Sequence, residues 1–318
     1  MPSESFTAES DNPAAGLRIA AAPVTWNNND LENWRPRIPF PEILDRIAEA
    51  GYRATEYDAS FGTDPETVRN AAAERGLQFC GSYQWLDLNT TGDVIAEHPS
   101  LEATLALLAA IDCRHLIIAD SLRPHRVAIA GAVPRDGSAS LDADGFARIA
   151  ANASRVASVA GRHGIHVHYH NHVGTYVETP EEVESLLASL DTDEVDLCFD
   201  TGHFAFGGGD AKAFVERHAD VIGYVHLKDV DAAVMREANR YHWSFLNALR
   251  HYVFADIGTG VAQVVAILGI LTRQPNPPWI VIEQDTCAED STQTAARNLR
   301  TLRTMLANLQ EDARDERM

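Results

Sequence analysis

The sequence predicts an α/β protein that folds as one closed (β/α)8 barrel. Eight short apolar runs alternate with eight amphipathic runs between Leu17 and Leu309. Runs that are apolar throughout indicate strands buried on both faces, which is typical of a parallel sheet covered by helices. Eight such units within roughly 300 residues fit a closed TIM barrel better than two open sheets.

The predicted elements follow one another in regular order. The strand-like runs are "LRIAAAPV" (17–24), "YRATEYD" (52–58), "LQFCGSYQW" (77–85), "RHLIIAD" (114–120), "IHVHYHN" (165–171), "EVDLCFD" (194–200), "VIGYVHLKD" (221–229) and "PPWIVIEQD" (277–285). The helix-like runs have apolar residues at helical spacing and cover 41–51, 64–76, 101–111, 142–163, 179–190, 210–220, 234–249 and 292–309. Asp64 before Pro65 predicts a capped helix start, and Thr179 with Glu182 predicts a capping box. The segment "YVFADIGTG" (252–260) stands outside this alternation.

We expect the chain to consist of three segments. Residues 1–16 form a flexible tail, residues 17–311 form the barrel and residues 312–318 form a charged C-terminal tail. No linker or change of composition divides the long middle segment. The sequence therefore predicts one catalytic domain.

Composition limits the partners that the protein is expected to have. The formal net charge is -20, and such a surface repels phosphate backbones and anionic lipid, so we expect no nucleic acid and no membrane. No apolar run approaches the roughly 18 residues of a spanning helix. Four cysteines without C-x-x-C spacing are expected to be reduced core thiols, which favours the cytoplasm. A homo-oligomer is compatible with the sequence, but no surface pattern defines an interface.

Carboxylate and histidine side chains end the three predicted strands nearest the C-terminus. "VDLCFDTGHFAFGGGD" (195–210) presents Asp200 and His203, "HLKD" presents His226 and Lys228, and "IEQD" presents Glu283. Taken singly, each has an ordinary explanation: a turn for Asp200, a core histidine for His226, an ion pair for Glu283. The βα loops of a barrel meet at one end, so we expect the three to lie together. Because buried carboxylates without positive charge are costly, the set predicts a metal site.

Strand "HVHYHN" and the loop after it supply further candidates. Alternation places His166, His168, His170 and His172 on one face of the strand. His170, near the rim, is the expected fourth metal ligand, and His168, one pleat deeper, is the alternative. His166 is expected to be structural. His172 and Glu178 are expected to act on the substrate.

The early strand ends supply candidates for substrate binding. Trp26 and Asn27 follow the first strand, and Glu56 lies at the end of the second. The glycines in "FGGGD" are expected to form a tight turn before a helix, because neither a P-loop lysine nor a G-x-G-x-x-G motif accompanies them.

Four elements, in their order and spacing, resemble the xylose isomerase-like TIM barrels: "HYHNHVGTYVETPEEV", "LCFDTGHFAFGGGD", "YVHLKDV" and "WIVIEQD". Within that superfamily the chain is most similar to the inosose dehydratases of inositol catabolism, from "APVTWNN" to the last strand. The resemblance implies a divalent metal of the Mn, Co or Mg type, with Zn less favoured, bound by Asp200, His226, Glu283 and a residue of strand five. It also implies that His203 and Lys228 contact substrate oxygens.

The same resemblance implies the reaction of a hydro-lyase that dehydrates a keto-inositol. The metal polarises the ketone, a base (Glu283 or a histidine of strand five) removes the α-proton, and the resulting enediolate loses a β-hydroxyl protonated by His203 or His172. Return of the proton to the opposite face would instead make the protein a keto-sugar isomerase or 3-epimerase. A lyase acting on oxidised glycosides would use the same first step. A non-catalytic sugar-binding barrel and a three-zinc DNA-repair endonuclease are disfavoured, the latter by the charge.

Overall fold

Eight parallel strands close into a barrel in the computed structural model, which describes residues 17–31 and 33–315. The barrel strands are β1 Arg18–Ala21, β2 Ala54–Tyr57, β3 Gln78–Leu86, β4 His115–Asp120, β5 His166–His170, β6 Val195–Asp200, β7 Ile222–Leu227 and β10 Trp279–Ile282. Around the barrel they follow the order β1-β10-β7-β6-β5-β4-β3-β2. The predicted (β/α)8 barrel is confirmed. The tail expected at 1–16 and residues 316–318 lie outside the described residues.

Helices surround the barrel, and most of them begin where a cap residue predicts. Their bounds are α1 Glu42–Glu49, α2 Pro65–Ala73, α3 Val94–Glu97, α4 Leu101–Ala110, α5 Pro124–Ala128, α6 Ala143–Gly161, α7 Pro180–Leu187, α8 Thr201–Phe206, α9 Ala211–His218, α10 Ala232–Tyr241, α11 Phe245–Arg250, α12 Val264–Leu271 and α13 Ser291–Asp315. Asp64 caps α2 by accepting from the amide of Thr67. Thr179 and Glu182 form the predicted capping box at α7. Helix α13 extends beyond residue 311, into the segment expected to be a tail.

The region between β7 and β10 differs most from the sequence prediction. The single helix expected over 234–249 is two helices, because His242 adopts a left-handed conformation after α10 and Ser244 caps α11. Helix α12 was not predicted, since its sequence "VVAILGIL" has no polar face to reveal helical spacing. The segment "YVFADIGTG" contains β9 (Phe254–Ala255), which pairs antiparallel with β8 (Asp229–Val230) outside the barrel.

Alternate strand residues fill the barrel interior and separate its two ends. A buried apolar layer lies between the ends and consists of Ala20, Ala22, Ala54, Cys80, Ile117, Cys198, Tyr224, Trp279 and Val281. A larger core lies between the strands and the helices. All four cysteines are free and buried, as expected. Within the described residues, no helix has the length and apolarity needed to span a membrane.

Candidate active site

Asp200, at the C-terminal end of β6, serves as a helix cap and faces the site at the same time. Its Oδ1 accepts from the backbone amide of His203 at 2.7 Å and so caps α8. Its Oδ2 lies 3.3 Å from Nε2 of His170 and 3.2 Å from Nζ of Lys228. The side chain of Asn171 bonds both backbone groups of Asp200, at 2.9 and 3.1 Å, and fixes this strand end against β5. One carboxylate oxygen thus remains directed at the neighbouring strands.

Glu56 fixes the orientation and the tautomer of His226. Oε1 of Glu56 accepts from Nε2 of His226 at 2.8 Å and from the hydroxyl of Tyr224 at 3.0 Å. Nδ1 of His226 then lies 2.7 Å from Oε2 of Glu283, yet neither atom has a hydrogen-bond partner in the described part of the chain. At this distance the two atoms need a cation between them, either the second proton of a doubly protonated His226 or a metal ion.

Lys228 brings a buried ammonium group to the same place. Its Nζ lies 2.9 Å from Oε1 of Glu283, 2.9 Å from Oδ1 of Asp285 and 3.0 Å from Nε2 of His203. Gly202 leaves the space for this side chain, because a Cβ there would lie 2.4 Å from Cβ of Lys228. The hydroxyl of Thr201 bonds the backbone carbonyl of Lys228 at 2.6 Å. The Asp-Thr-Gly-His element therefore positions Lys228 as well as Asp200.

The cluster carries more negative than positive charge. Glu56, Asp200, Glu283 and Asp285 are buried carboxylates close to the single ammonium group of Lys228. Burial lowers the pKa of His226, but Cys198, Glu56 and Glu283 outweigh it and raise that pKa well above the ordinary value. Burial raises the pKa of Glu283, but Lys228 and His226 hold it well below the ordinary value. The cluster attracts a further positive charge.

The donor atoms fit a divalent cation. Asp200, His226 and Glu283 each offer one ligand atom, and these atoms lie within 4.8 Å of one another. His170 approaches from β5, with its ring centroid 4.8 Å from that of His226, and its Nδ1 has no hydrogen-bond partner among residues 17–31 and 33–315. Carboxylate and imidazole donors without a thiolate suit a hard or borderline ion with open coordination positions.

His172 and His203 form a pair of imidazoles beside these residues. Their ring centroids are 3.7 Å apart. Nδ1 of His172 donates to the carbonyl of Val173 at 2.6 Å, so Nε2 carries the lone pair. Nε2 of His203 accepts from Lys228, so Nδ1 carries the proton, and this Nδ1 has no partner in the described structure. The two rings thus present one acceptor and one donor.

The family model of the xylose isomerase-like TIM barrels matches residues 44–305. The chain belongs to this family. It is 31% identical over 277 residues to the rhizopine catabolism protein MocC of Rhizobium meliloti, an alignment that covers 86% of this chain and 83% of MocC. It is 29% identical over 276 residues to the inosose dehydratase of Geobacillus kaustophilus, covering 85% of this chain and 87% of that enzyme. The chain is therefore an enzyme of the xylose isomerase-like family.

Solved structures share the fold of this xylose isomerase-like barrel. The probable 3-DHS dehydratase AsbF of Bacillus anthracis superposes with a TM-score of 0.68 at 13% identity, covering 90% of this chain and 98% of AsbF. The IOLI protein, solved with a bound zinc atom, superposes with a TM-score of 0.66 at 11% identity, covering 92% of this chain and 98% of that chain. At these identities the likeness concerns the fold.

The three residues that the sequence predicts to bind substrate at the early strand ends make contacts within the protein, and their substrate-binding role stays a prediction. The indole of Trp26 donates to the hydroxyl of Thr292 at 3.0 Å and is buried. The side chain of Asn27 bonds both backbone groups of Ile38, at 2.8 and 2.9 Å. Glu56 lies in the cluster, but its Oε1 orients His226. The contacts of these three residues are structural or orienting.

Glu178, which the sequence predicts to act on the substrate, is bound by backbone amides of two loops. Its Oε1 accepts from the amide of Gly131 at 2.7 Å and its Oε2 from the amide of Gly174 at 2.8 Å. Arg126 lies 3.6 Å from Oε2. Burial raises the pKa of Glu178 to about 7, even though these loop amides lower it. Glu178 joins two βα loops, and its predicted action on the substrate stays a prediction.

Three residues of the site were missed by the sequence analysis. Asp285 comes two residues after Glu283, so strand alternation places both on the same face. This spacing could have identified Asp285 from the sequence. Tyr83 lies over His226, with ring centroids 6.2 Å apart, and has a buried hydroxyl without a partner in the described residues. Asp30 is half-buried in the loop after β1, and burial raises its pKa to about 6. Nothing in the local sequence marks Tyr83 or Asp30.

Proposed function

We propose that this enzyme is a divalent-metal-dependent hydro-lyase that dehydrates a keto-inositol. The observation that carries the proposal is the approach of Nδ1 of His226 to Oε2 of Glu283 at 2.7 Å without a hydrogen bond. Similarity to inosose dehydratases over 85% of the chain supports the substrate class. A polyol ring carrying a ketone beside a hydroxyl offers two oxygens that a cation can chelate.

His170, Asp200, His226 and Glu283 are the residues that would hold the ion. His226 would bind through Nδ1, because Glu56 occupies Nε2. Asp200 would bind through Oδ2, because Oδ1 caps α8. Of the two candidates on β5, His170 reaches the cluster, whereas His168 hydrogen-bonds His115 and Asp196. A divalent ion held here would polarise a substrate ketone and make the neighbouring C–H bond more acidic.

The imidazole pair supplies a route for the two protons of a dehydration. Nε2 of His172 carries a lone pair and accepts the α-proton, and Nδ1–H of His203 donates a proton to the departing β-hydroxyl, which leaves as water, while the ammonium group of Lys228 passes a proton to Nε2 of His203. The electron pair of the broken C–H bond forms the new double bond as the C–O bond breaks. His172 thus gains a proton, Lys228 loses one, and His203 stays neutral. The ring contact of 3.7 Å allows solvent or direct transfer to restore the starting state.

Lys228 and Glu283 are the remaining residues of the cluster with a proposed role in the reaction. The ammonium group of Lys228 is a donor for a substrate oxygen, and Thr201 and Gly202 hold it in place. Glu283 shares its Oε1 with Lys228, which favours a ligand role over that of the proton-accepting base. Its other oxygen, Oε2, faces Nδ1 of His226 at 2.7 Å, the position expected of a shared ion.

Proton NMR of 2-keto-myo-inositol in D₂O with the Mn²⁺- or Co²⁺-loaded protein tests the proposal. A dehydrated dione is the expected product. Deuterium entering an intact ring, or an epimer, would contradict dehydration and indicate the isomerase or epimerase alternative. No change in a protein shown to hold metal would contradict keto-inositol as the substrate and direct the same assay to other keto-sugars and oxidised glycosides.

A further inference from the structure

A second group of metal-ligand side chains lies at the opposite, N-terminal end of the barrel. His166 and His168 belong to β5 and Asp196 belongs to β6, and one ligand atom from each lies within 4.8 Å of the others. Nε2 of His166 is 3.0 Å from Oδ2 of Asp196, and Nδ1 of His168 contacts Oδ1 of the same carboxylate. We call these three residues the N-terminal triad.

The surrounding residues are arranged to accommodate the triad. A Cβ on Gly223 would lie 2.0 Å from Oδ2 of Asp196, so only glycine leaves room for the carboxylate. Nδ1 of His115 lies 2.8 Å from Nε2 of His168. The register of the sheet sets these neighbours, since His115 pairs with His166 and His168 pairs with Asp196.

His115 provides the outer hydrogen bond that a metal-binding histidine requires. When Nε2–H of His168 donates to His115, Nδ1 of His168 has a free lone pair facing Asp196 and His166. Metal-ligating histidines usually donate their other N–H to such a partner, which fixes the tautomer. When Nδ1 of His168 instead carries the proton and donates it to Asp196, Nε2 of His168 accepts a hydrogen bond from His115. His115 and His168 can therefore switch between these two tautomers without a net change of charge.

The solvent exposure of the N-terminal triad and the charges around it also allow an ion to bind there. The His166 side chain is 42% exposed and that of Asp196 is 19% exposed, so solvent reaches the triad. Arg18 is a nearby positive charge that would repel a bound cation. Burial is the main cause of the lowered pKa of His115 and of His168, and Arg18 lowers both further. Its guanidinium group lies over the ring of Trp279 at 4.9 Å and donates to the carbonyl of Pro277 at 3.4 Å. These contacts give Arg18 other partners than the triad.

We propose that the N-terminal triad binds a transition-metal ion through Nε2 of His166, Nδ1 of His168 and a carboxylate oxygen of Asp196. Two imidazoles and one carboxylate select borderline ions such as Zn²⁺ or Co²⁺ over Mg²⁺. The apolar layer that contains Tyr224, Ile117 and Cys198 separates this site from the cluster at the C-terminal end. The ion is bound independently of the catalytic cluster, and three ligands leave positions open to solvent.

Titration of the chelator-treated, full-length protein with Co²⁺, followed by absorption in the visible region, tests the site. Wild type is expected to bind two equivalents, His166→Gln one and Glu283→Gln one, with different spectra for the two remaining ions. Because even an outer partner changes metal affinity roughly 10–100-fold, loss of a ligand should weaken binding at that site at least ~100-fold. Asp196→Asn provides a second test through the carboxylate of the triad.

His163→Gln is the matched control. His163 is another partly exposed histidine paired with a carboxylate, at 3.2 Å from Glu102, but it has no second imidazole beside it. The His163→Gln variant should bind two equivalents of Co²⁺, as wild type does. Identical isotherms for wild type, His166→Gln and Asp196→Asn would overturn the proposal, as would a single equivalent that Glu283→Gln abolishes. A single equivalent that His166→Gln abolishes would support the N-terminal site and contradict the C-terminal one.

Discussion

The two ends of β5 and β6 carry the same residue types but face different surroundings. At the N-terminal end His166 and His168 meet Asp196, and at the C-terminal end His170 meets Asp200. Four residues along a strand correspond to about 13 Å. One end has a half-exposed histidine, whereas the other is buried and faces the carboxylates and the lysine brought by other strands. The chemistry of a histidine–aspartate pair in this barrel thus depends on what the other strands place opposite it.

The largest expected difference between the two ends is in turnover. Glu283→Gln removes the charge that faces His226 and Lys228, so we expect turnover to fall by at least about 10²–10³-fold, the scale seen for loss of one electrostatic partner of a transition state. Steady-state dehydration assays with metal present measure it. Glu289→Gln, an exposed carboxylate paired with Arg297, is the control and should be neutral. Turnover within a few-fold of wild type would show that the C-terminal cluster is not catalytic.

His203→Gln distinguishes a proton donor from a metal ligand within the C-terminal end. Glutamine keeps an acceptor for Lys228 but lacks the Nδ1–H group, so we expect kcat to fall on the order of 10²–10⁴-fold while one equivalent of metal stays bound at the cluster. Measuring kcat and bound metal on the same sample of His203→Gln distinguishes the two roles. Loss of the metal together with activity would assign His203 to the ligand set instead.

A moderate effect is expected for Glu56, which orients His226 without facing the ion. Glu56→Gln retains an acceptor for Nε2 of His226 but removes the negative charge, so metal affinity should fall by roughly 10-fold, the lower end for an outer partner. Mn²⁺ titration of wild type and variant compares the affinities, with the exposed Glu42→Gln as control. An effect as large as that of Glu283→Gln would mean that Glu56 is itself a ligand.

The smallest effect on turnover is expected for Glu178, the carboxylate that joins two loops. Burial raises its folded-state pKa from 4.5 to about 7, so the folded protein binds the proton more tightly than the unfolded chain. Stability is therefore greatest below the unfolded pKa and decreases as pH rises from about 4.5 to about 7. In Glu178→Gln this loss should disappear, and turnover should change only a few-fold.

Urea unfolding of wild type and Glu178→Gln at several pH values between 4 and 8 measures this difference. The exposed neighbour Glu181→Gln serves as the control, and it should keep the wild-type slope. Equal slopes in wild type and Glu178→Gln would show that Glu178 does not hold its proton in the folded state. A loss of turnover comparable to that of His203→Gln would show that Glu178 acts in catalysis, as the sequence predicts.

Alternation and strand order made much of the site predictable. The two-residue period placed His166, His168, His170 and His172 on the interior face, and the barrel architecture brought Asp200, His226 and Glu283 together. Period alone gives the face of a strand but not the depth of each residue in the barrel. That is why His168 stood as an alternative ligand, although it belongs to the other end.

Roles that depend on contacts between distant segments were not predictable. Glu56 was found as a strand-end carboxylate, but its role depends on the position of His226, 170 residues away in the chain. Trp26 and Asn27 were assigned to substrate because they follow a strand, and their hydrogen bonds to Thr292 and Ile38 could not be predicted from that position. The contacts of Glu178 were not predictable for the same reason, since one of the two amides that bind it, that of Gly131, comes from another βα unit.

Asp200→Asn and Asp196→Asn together test most directly the claim that the catalytic metal centre lies at the C-terminal end of the barrel. The two aspartates lie four residues apart on β6, and asparagine also caps helices, so α8 should persist in Asp200→Asn. Turnover and bound metal are measured on both variants. We expect Asp200→Asn to lose turnover and the metal of the C-terminal cluster, and Asp196→Asn to keep both. Loss of turnover in Asp196→Asn with retention in Asp200→Asn would contradict the account.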